Sequence, residues 1–293
     1  MNDFIMHLKT NMNLTLGSIR RFWQRYKRNK AGLIGLGLFT ILVFIAIFTP
    51  IISPFDPLDN TFETNLPPNN VNYFGTDDLG RDVFSRTVQG AGVSLIVGAF
   101  ASFTSTLIGI FIGGFAGYIG KGVDLVLMKI TELFQVLPQF FVAILIASFF
   151  GPGFWGIILV ISLLSWPKTA RLVRAEFLSL KEQEFVSAAK TVGCNRFTII
   201  FNEILPSAMP EVIVNGSLIM ATAILMQASL SFFGLGDPSK ISWGKMLSDS
   251  QGLLRSAPWA SIFPGIAILL TVLSINLIGD ALNDAINPKF RER

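Results

Sequence analysis

Five stretches of this chain carry no charged residue: 31–55, 87–120, 133–167, 212–236 and 256–279. Each is long enough to hold the roughly 20 helical residues that cross a bilayer. Within hydrocarbon every backbone N–H and C=O must find its partner inside the structure, which leaves helices or closed barrels. These runs are continuously apolar and do not alternate, so they read as helices. Only 14% of the residues are charged and 51% are apolar, against about a quarter charged in soluble domains. Gly151-Pro152-Gly153 divides the third run by a tight turn, giving six spans and an all-α, polytopic transmembrane bundle.

The expected spans are 31–55, a stretch within 87–120, about 130–150, 154–167, 212–236 and 256–279. The fourth keeps its helical pattern through Lys168, Arg171 and Arg174, and so projects beyond the bilayer. The second is loaded with Gly98, Gly109, Gly113, Gly114 and Gly117, small residues that let helices approach closely in lipid. Lys129 and Glu132, three apart, read as a structural ion pair, and Pro138 as a kink. A signal peptide is disfavoured at the start: the basic lead is long, the apolar run is too long, and no A-x-A-like site follows.

Orientation follows from charge. With this topology 18 of the 23 Lys and Arg residues fall on the side of both termini and the central polar segment, and 5 on the other. The positive-inside rule places the first side in the cytoplasm. The basic residues flank apolar spans, a pattern that points to a membrane and not to nucleic acid. A single cysteine, Cys194, and a single histidine, His7, exclude a disulfide framework, a cysteine-cluster metal site and H-E-x-x-H zinc chemistry. No G-x-x-x-x-G-K-[ST] loop occurs, so the chain brings no P-loop for ATP. The organisation expected is a cytoplasmic segment 1–30, a first span 31–55, an external loop 56–86, a five-span core 87–280 and a cytoplasmic tail 281–293.

The one patterned polar stretch between long apolar runs is 184–206. Phe185, Ala189 and Val192 share one face of a short helix, which Gly193 stops. A second amphipathic turn with Phe197, Ile200, Phe201 and Ile204 on one face ends at Leu205-Pro206. Two short helices around a glycine make a knob suited to rest on another surface. A second patterned stretch, FGTDDLGRDVFSR at 74–86, lies in a Pro-, Asn- and Asp-rich external loop and reads as a turn leading into the second span.

The knob resembles the EAA loop of ABC-importer membrane subunits, with Ala188, Ala189, Gly193, Leu205 and Pro206 in register. Ser187 stands at the usual glutamate, Glu203 at the usual isoleucine, and Glu184 lies one turn before. The external stretch is similar to the G-T-D-x-L-G-R-D signature of the C-type permease of peptide and nickel importers. It matches at Gly75, Thr76, Asp77, Leu79, Gly80, Arg81 and Asp82, followed by Gly90, Ala91, Ser94 and Leu95. Ser229 to Gly236, Ser242-Trp243-Gly244, and the tail from Gly279-Asp280 to Pro288-Lys289, with Asn287 in place of an acid, extend the resemblance over nearly the whole chain.

The resemblance implies a non-catalytic permease subunit of the type I fold in a bacterial plasma membrane. It implies a homologous B-type permease as partner, two ATP-binding subunits that carry Mg-ATP, and an external solute-binding protein. Each EAA helix would sit in a groove of one ATPase. Peptide is the expected solute, with nickel or a metal chelate as the alternative. A channel, intramembrane enzyme or secondary transporter would want ionisable groups at mid-span, and none is evident there. Asn215, Ser217, Thr222 and Gln227 in the fifth span are expected to bond across helices more than to line a path.

Overall fold

The computed structural model describes residues 22–286. The basic residues Lys9, Arg20 and Arg21, the histidine His7, and Asn287, Pro288 and Lys289 of the tail lie outside them. The described chain is helical, with a single isolated bridge between Thr76 and Asp82. Its helices are α1 (Lys30–Ile47), α2 (Thr49–Ile52), α3 (Val83–Ile119), α4 (Lys121–Val136), α5 (Gln139–Phe150) and α6 (Phe154–Leu180). Then follow α7 (Glu184–Thr191), α8 (Arg196–Thr198), α9 (Leu205–Phe232), α10 (Trp243–Asp249) and α11 (Trp259–Ile286). Five helical stretches are long and apolar enough to cross a membrane, and the pair α4–α5 makes a sixth when counted as one broken span.

The glycines of α3 explain its packing. Gly109, Gly113 and Gly117 repeat every four residues, one stripe of a helix. They admit α6 so closely that a Cβ on Gly113 would lie 2.3 Å from the Ala170 carbonyl oxygen, and one on Gly117 2.6 Å from Phe177 Cβ. Farther along, Gly98 does the same for Ile224 of α9. With no hydrophobic drive between helices in lipid, such contact is a main source of association. The interior beside this seam is filled by Val97, Ala101, Ile157, Ile161, Leu164, Ala223 and Leu230. Helix α1 lies against α11, Gly32 and Gly35 meeting Ala281 and Leu277, while Ile34, Ile41, Phe44 and Ile47 face outward. The chain's described ends meet there, Asn29 Nδ2 donating to Asp284 Oδ2 at 2.9 Å.

Three expectations change. The third span is not a kinked helix over 130–150. The chain turns helical again at Lys121, directly after Gly120, and α4 and α5 meet at 91° across Leu137-Pro138. Pro138 lacks an N–H and serves as the cap of α5, so the proline begins a helix where a mid-helix kink was expected. Lys129 and Glu132 form no ion pair. Both are exposed, and α4 is tied instead by Asp124 to Arg174 of α6, with Nη2 to Oδ2 at 2.6 Å. The second half of the knob also does not end at Leu205-Pro206. A π turn over Ile199–Ile204 runs directly into α9, and Leu205 N–H donates back five residues to the Ile200 carbonyl. Pro206 sits in the first turn of α9, where a missing N–H costs little.

Candidate functional site

Two constructions stand at opposite ends of the bundle. The first is the knob between α6 and α9. After Leu180 the chain makes one turn, Gln183 takes an extended conformation ahead of α7, and the short helix follows. Its end is set by Gly193, whose φ of +88° is a backbone state that residues with a Cβ rarely adopt. Three N–H groups close that end: Val192 to Ala188 O, Gly193 to Lys190 O and Cys194 to Ala189 O. Asn195 then caps the next turn, its Oδ1 accepting from Thr198 N at 2.8 Å and Thr198 Oγ1 at 2.9 Å.

The knob has two faces. Inward, Val186 is buried with Ile199, Ile200 and Ile204 against Val173 and Phe177 of α6 and Ala208 and Val212 of α9. Ala189, Cys194, Phe201 and Leu205 complete this seat. Outward, Glu184, Phe185, Ser187 and Ala188 are exposed, as are Val192 at 83% and Phe197 at 66%. The stripe expected from Phe185, Ala189 and Val192 is therefore split, since Ala189 turns inward and the other two turn out. Val186, which the sequence pattern did not single out, is the anchor. Pro206 is exposed on the first turn of α9. Arg174 with Asp124, and Lys181 Nζ donating to Gly117 O at 3.3 Å, brace this end against α4 and α3.

At the other end the stretch 74–86 is a folded clip. Thr76 is buried, its Oγ1 donating to Glu63 O at 2.7 Å and accepting from Leu66 N at 2.8 Å. Asp77 Oδ1 accepts from the backbone N–H groups of Leu79 and Arg81, both at 3.0 Å. Asp77 Oδ2 takes Arg81 Nε at 2.7 Å and Arg86 Nη1 at 3.1 Å. Arg86 reaches on to Asp249 of α10 at 2.9 Å, and Lys245 pairs with the same carboxylate. Asp82 caps α3, accepting from Ser85 N at 2.8 Å, and is held by Asn72 Nδ2 at 3.0 Å. Gly75 and Gly80 take positive φ, and a Cβ on Gly75 would strike the Leu66 carbonyl and the Trp259 ring.

Two tryptophans fasten the clip to the rest of the molecule. Trp259 Nε1 donates to Thr76 O and Trp243 Nε1 to Thr87 O, each at 2.9 Å. Gly90 and Ser94 lie against Trp243. Of the signature residues only Leu79 is largely exposed. Arg86 and Asp249, 163 positions apart, complete the charge cluster and were not singled out from sequence. Their signal was present only as unexplained charges beside apolar spans.

The fifth-span polar residues divide unequally. Asn215 Nδ2 donates across to Thr169 Oγ1 of α6 at 3.0 Å. Ser217, Thr222 and Gln227 instead bond within α9, to Val214 O, Ile219 O and Ser231 Oγ.

This arrangement of broken span, projecting helix and seated knob is the fold of an ABC-importer permease. The structure matches a chain of the inward-facing MetNI methionine ABC transporter with a TM-score of 0.59, over 70% of this chain and 98% of that one, at 17% identity. The family described as binding-protein-dependent transport system inner membrane component matches residues 109–292, and the chain belongs to it. The N-terminal TM domain of oligopeptide transport permease C matches residues 18–68. Among curated relatives, the dipeptide transport system permease protein DppC of Alkalihalophilus pseudofirmus is 40% identical over 93% of this chain and 90% of its own length. The oligopeptide transport system permease protein OppC of Bacillus subtilis is 37% identical over 92% and 88%. The chain is thus a multi-pass cell-membrane subunit of an ATP-driven importer, and the family works with a further permease, ATPase subunits and a binding protein.

Proposed function

We propose that this chain is the C-type permease of a peptide importer, paired with one homologous B-type permease over two ATP-binding subunits and fed by an external peptide-binding protein. The observation that carries the coupling role is the outward face of the knob. Phe185, Ala188 and Val192 stand at i, i+3 and i+7, with Phe197 beside them, on a helix whose other face is locked into α6 and α9. An apolar, exposed face on a polar-flanked helix beyond the spans fits insertion into a groove of a soluble protein. Because the π turn passes directly into α9, a push on α7 moves two spanning helices without slack. That is the two-state linkage that nucleotide-driven closure requires. Glu184 in the first turn and Ser187 next to Ala188 would form the polar edge of the contact. Nucleotide and Mg²⁺ would be held by the ATPase subunits.

Peptide is the substrate class favoured by the functions named for the curated relatives. The test is reconstitution: the four membrane components co-purified, placed in liposomes with the binding protein, and assayed for ATP-dependent uptake of labelled di- and tripeptides. Uptake that requires both ATP and the binding protein is expected. Failure of an ATPase to co-purify, or uptake of nickel chelate with no peptide transport, would refute the assignment.

A further inference from the structure

We propose that residues 23–30 dock on the phosphates of anionic lipids in the cytoplasmic leaflet and pin the entry of α1 to the headgroup layer. Level is the first argument. From Lys30 to Ile47, α1 has 18 residues, about 27 Å of helix at about 1.5 Å per residue. That is close to the roughly 30 Å of hydrocarbon in a bilayer. Leu33, Ile34, Ile41, Phe44 and Ile47 of α1 are exposed, as side chains that meet acyl chains must be. The residues just before Lys30 therefore stand at an interface, on the side that the basic residues assign to the cytoplasm.

The second argument is how the segment is held. Tyr26 is buried with Ala281 and Ala285 of α11, Phe22 packs beside it, and its hydroxyl donates to Gly32 O at 3.0 Å. Asn29 caps α1, its Oδ1 accepting from Gly32 N at 2.9 Å, while its Nδ2 engages Asp284. The backbone is thus fastened to α1 and α11, and Arg25, Lys27, Arg28 and Lys30 all stay exposed. None of the four is in an ion pair among the described residues. At this end of α11 only Asp280 and Asp284 oppose them, and Asn29 already occupies Asp284. Trp23, 42% exposed, stacks on Tyr26 at 5.6 Å, with Lys27 Nζ 5.4 Å from its ring centroid. Amphipathic rings favour the headgroup layer, and a basic cluster next to a span draws anionic lipid. An ATPase surface is the competing occupant, but the knob that would meet it packs on α6 and α9, whereas α1 packs on α11 and α3.

The experiment uses the whole importer reconstituted in mixed phosphatidylcholine and phosphatidylglycerol vesicles. A trace of either lipid carries a photoactivatable headgroup, and cross-links are located by peptide mass spectrometry. In the wild type the phosphatidylglycerol probe should label residues 23–30 several-fold more than the phosphatidylcholine probe. The combined Arg25→Gln, Lys27→Gln, Arg28→Gln and Lys30→Gln variant should lose that labelling by about fivefold or more, the scale of one basic residue at an anionic surface. Its phosphatidylcholine labelling should be unchanged. The charge-preserving Arg25→Lys, Lys27→Arg, Arg28→Lys and Lys30→Arg variant should keep the preference. Equal labelling of the wild type by both probes would overturn the proposal without recourse to any variant. Competition by soluble glycerol phosphate would mark a site for free phosphate, and loss of the ATPase subunits from the glutamine variant in neutral lipid would mark a protein contact. Either would overturn it as well.

Discussion

Gly113 shows how little room single positions leave. Its missing side chain is what lets the Ala170 carbonyl and Val173 approach α3. Gly113→Val should destabilise the subunit by about 1–3 kcal/mol through overpacking, read as a lower midpoint of thermal unfolding in detergent. Gly122, with nothing near a built Cβ, is the control and should tolerate alanine. At the opposite end Arg86 holds Asp77 and Asp249 together while only 4% exposed. Arg86→Met removes the cation that Asp77 and Asp249 share, leaving Asp77 to Arg81 and Asp249 to Lys245, a change worth about 1–3 kcal/mol. Asp249, at 23% exposure, keeps more water, so Asp249→Asn should cost clearly less. The same unfolding measurement ranks the two.

Among the elements, the knob is where shape and transmission coincide. Gly193→Pro cannot adopt φ +88° and also deletes the N–H that bonds Lys190 O, so the corner between α7 and α8 is lost. Ala188→Trp leaves that corner intact but fills the outward face. Both should leave ATP hydrolysis running while uptake falls by tenfold or more, on the order of the 1.4 kcal/mol per decade of a lost contact. Uptake at the full rate with normal assembly would show that the knob does not couple. Pro206→Ala should change neither, because that position lies in the first turn of α9, where proline's missing N–H costs little.

For the molecule as a whole, topology is the testable quantity. Val192, on the knob, and Leu79, on the far clip, are both exposed and at opposite ends of the bundle. In a Cys194→Ser background expressed without the ATPase subunits, Val192→Cys should react with a membrane-impermeant maleimide in inside-out vesicles and not in intact cells. Leu79→Cys should do the reverse. Labelling of Val192→Cys from outside would invert the orientation given by the basic residues, and with it the coupling role.

The apolar runs alone determined that the chain is a helical membrane bundle, because hydrocarbon offers unpaired backbone no alternative. The glycine stripe of α3 announced close packing, and Gly193 announced the end of α7, since both follow from local geometry. Partners distant in sequence were decided only by the tertiary structure: Arg86 with Asp249, Trp259 with Thr76, and Gly113 with Ala170. Charge pairing and surface contact depend on which helices become neighbours, and local pattern carries no record of that. The broken third span and the unbroken helix through Pro206 belong to the same class, because each depends on where neighbouring helices can satisfy a backbone that proline has left one donor short.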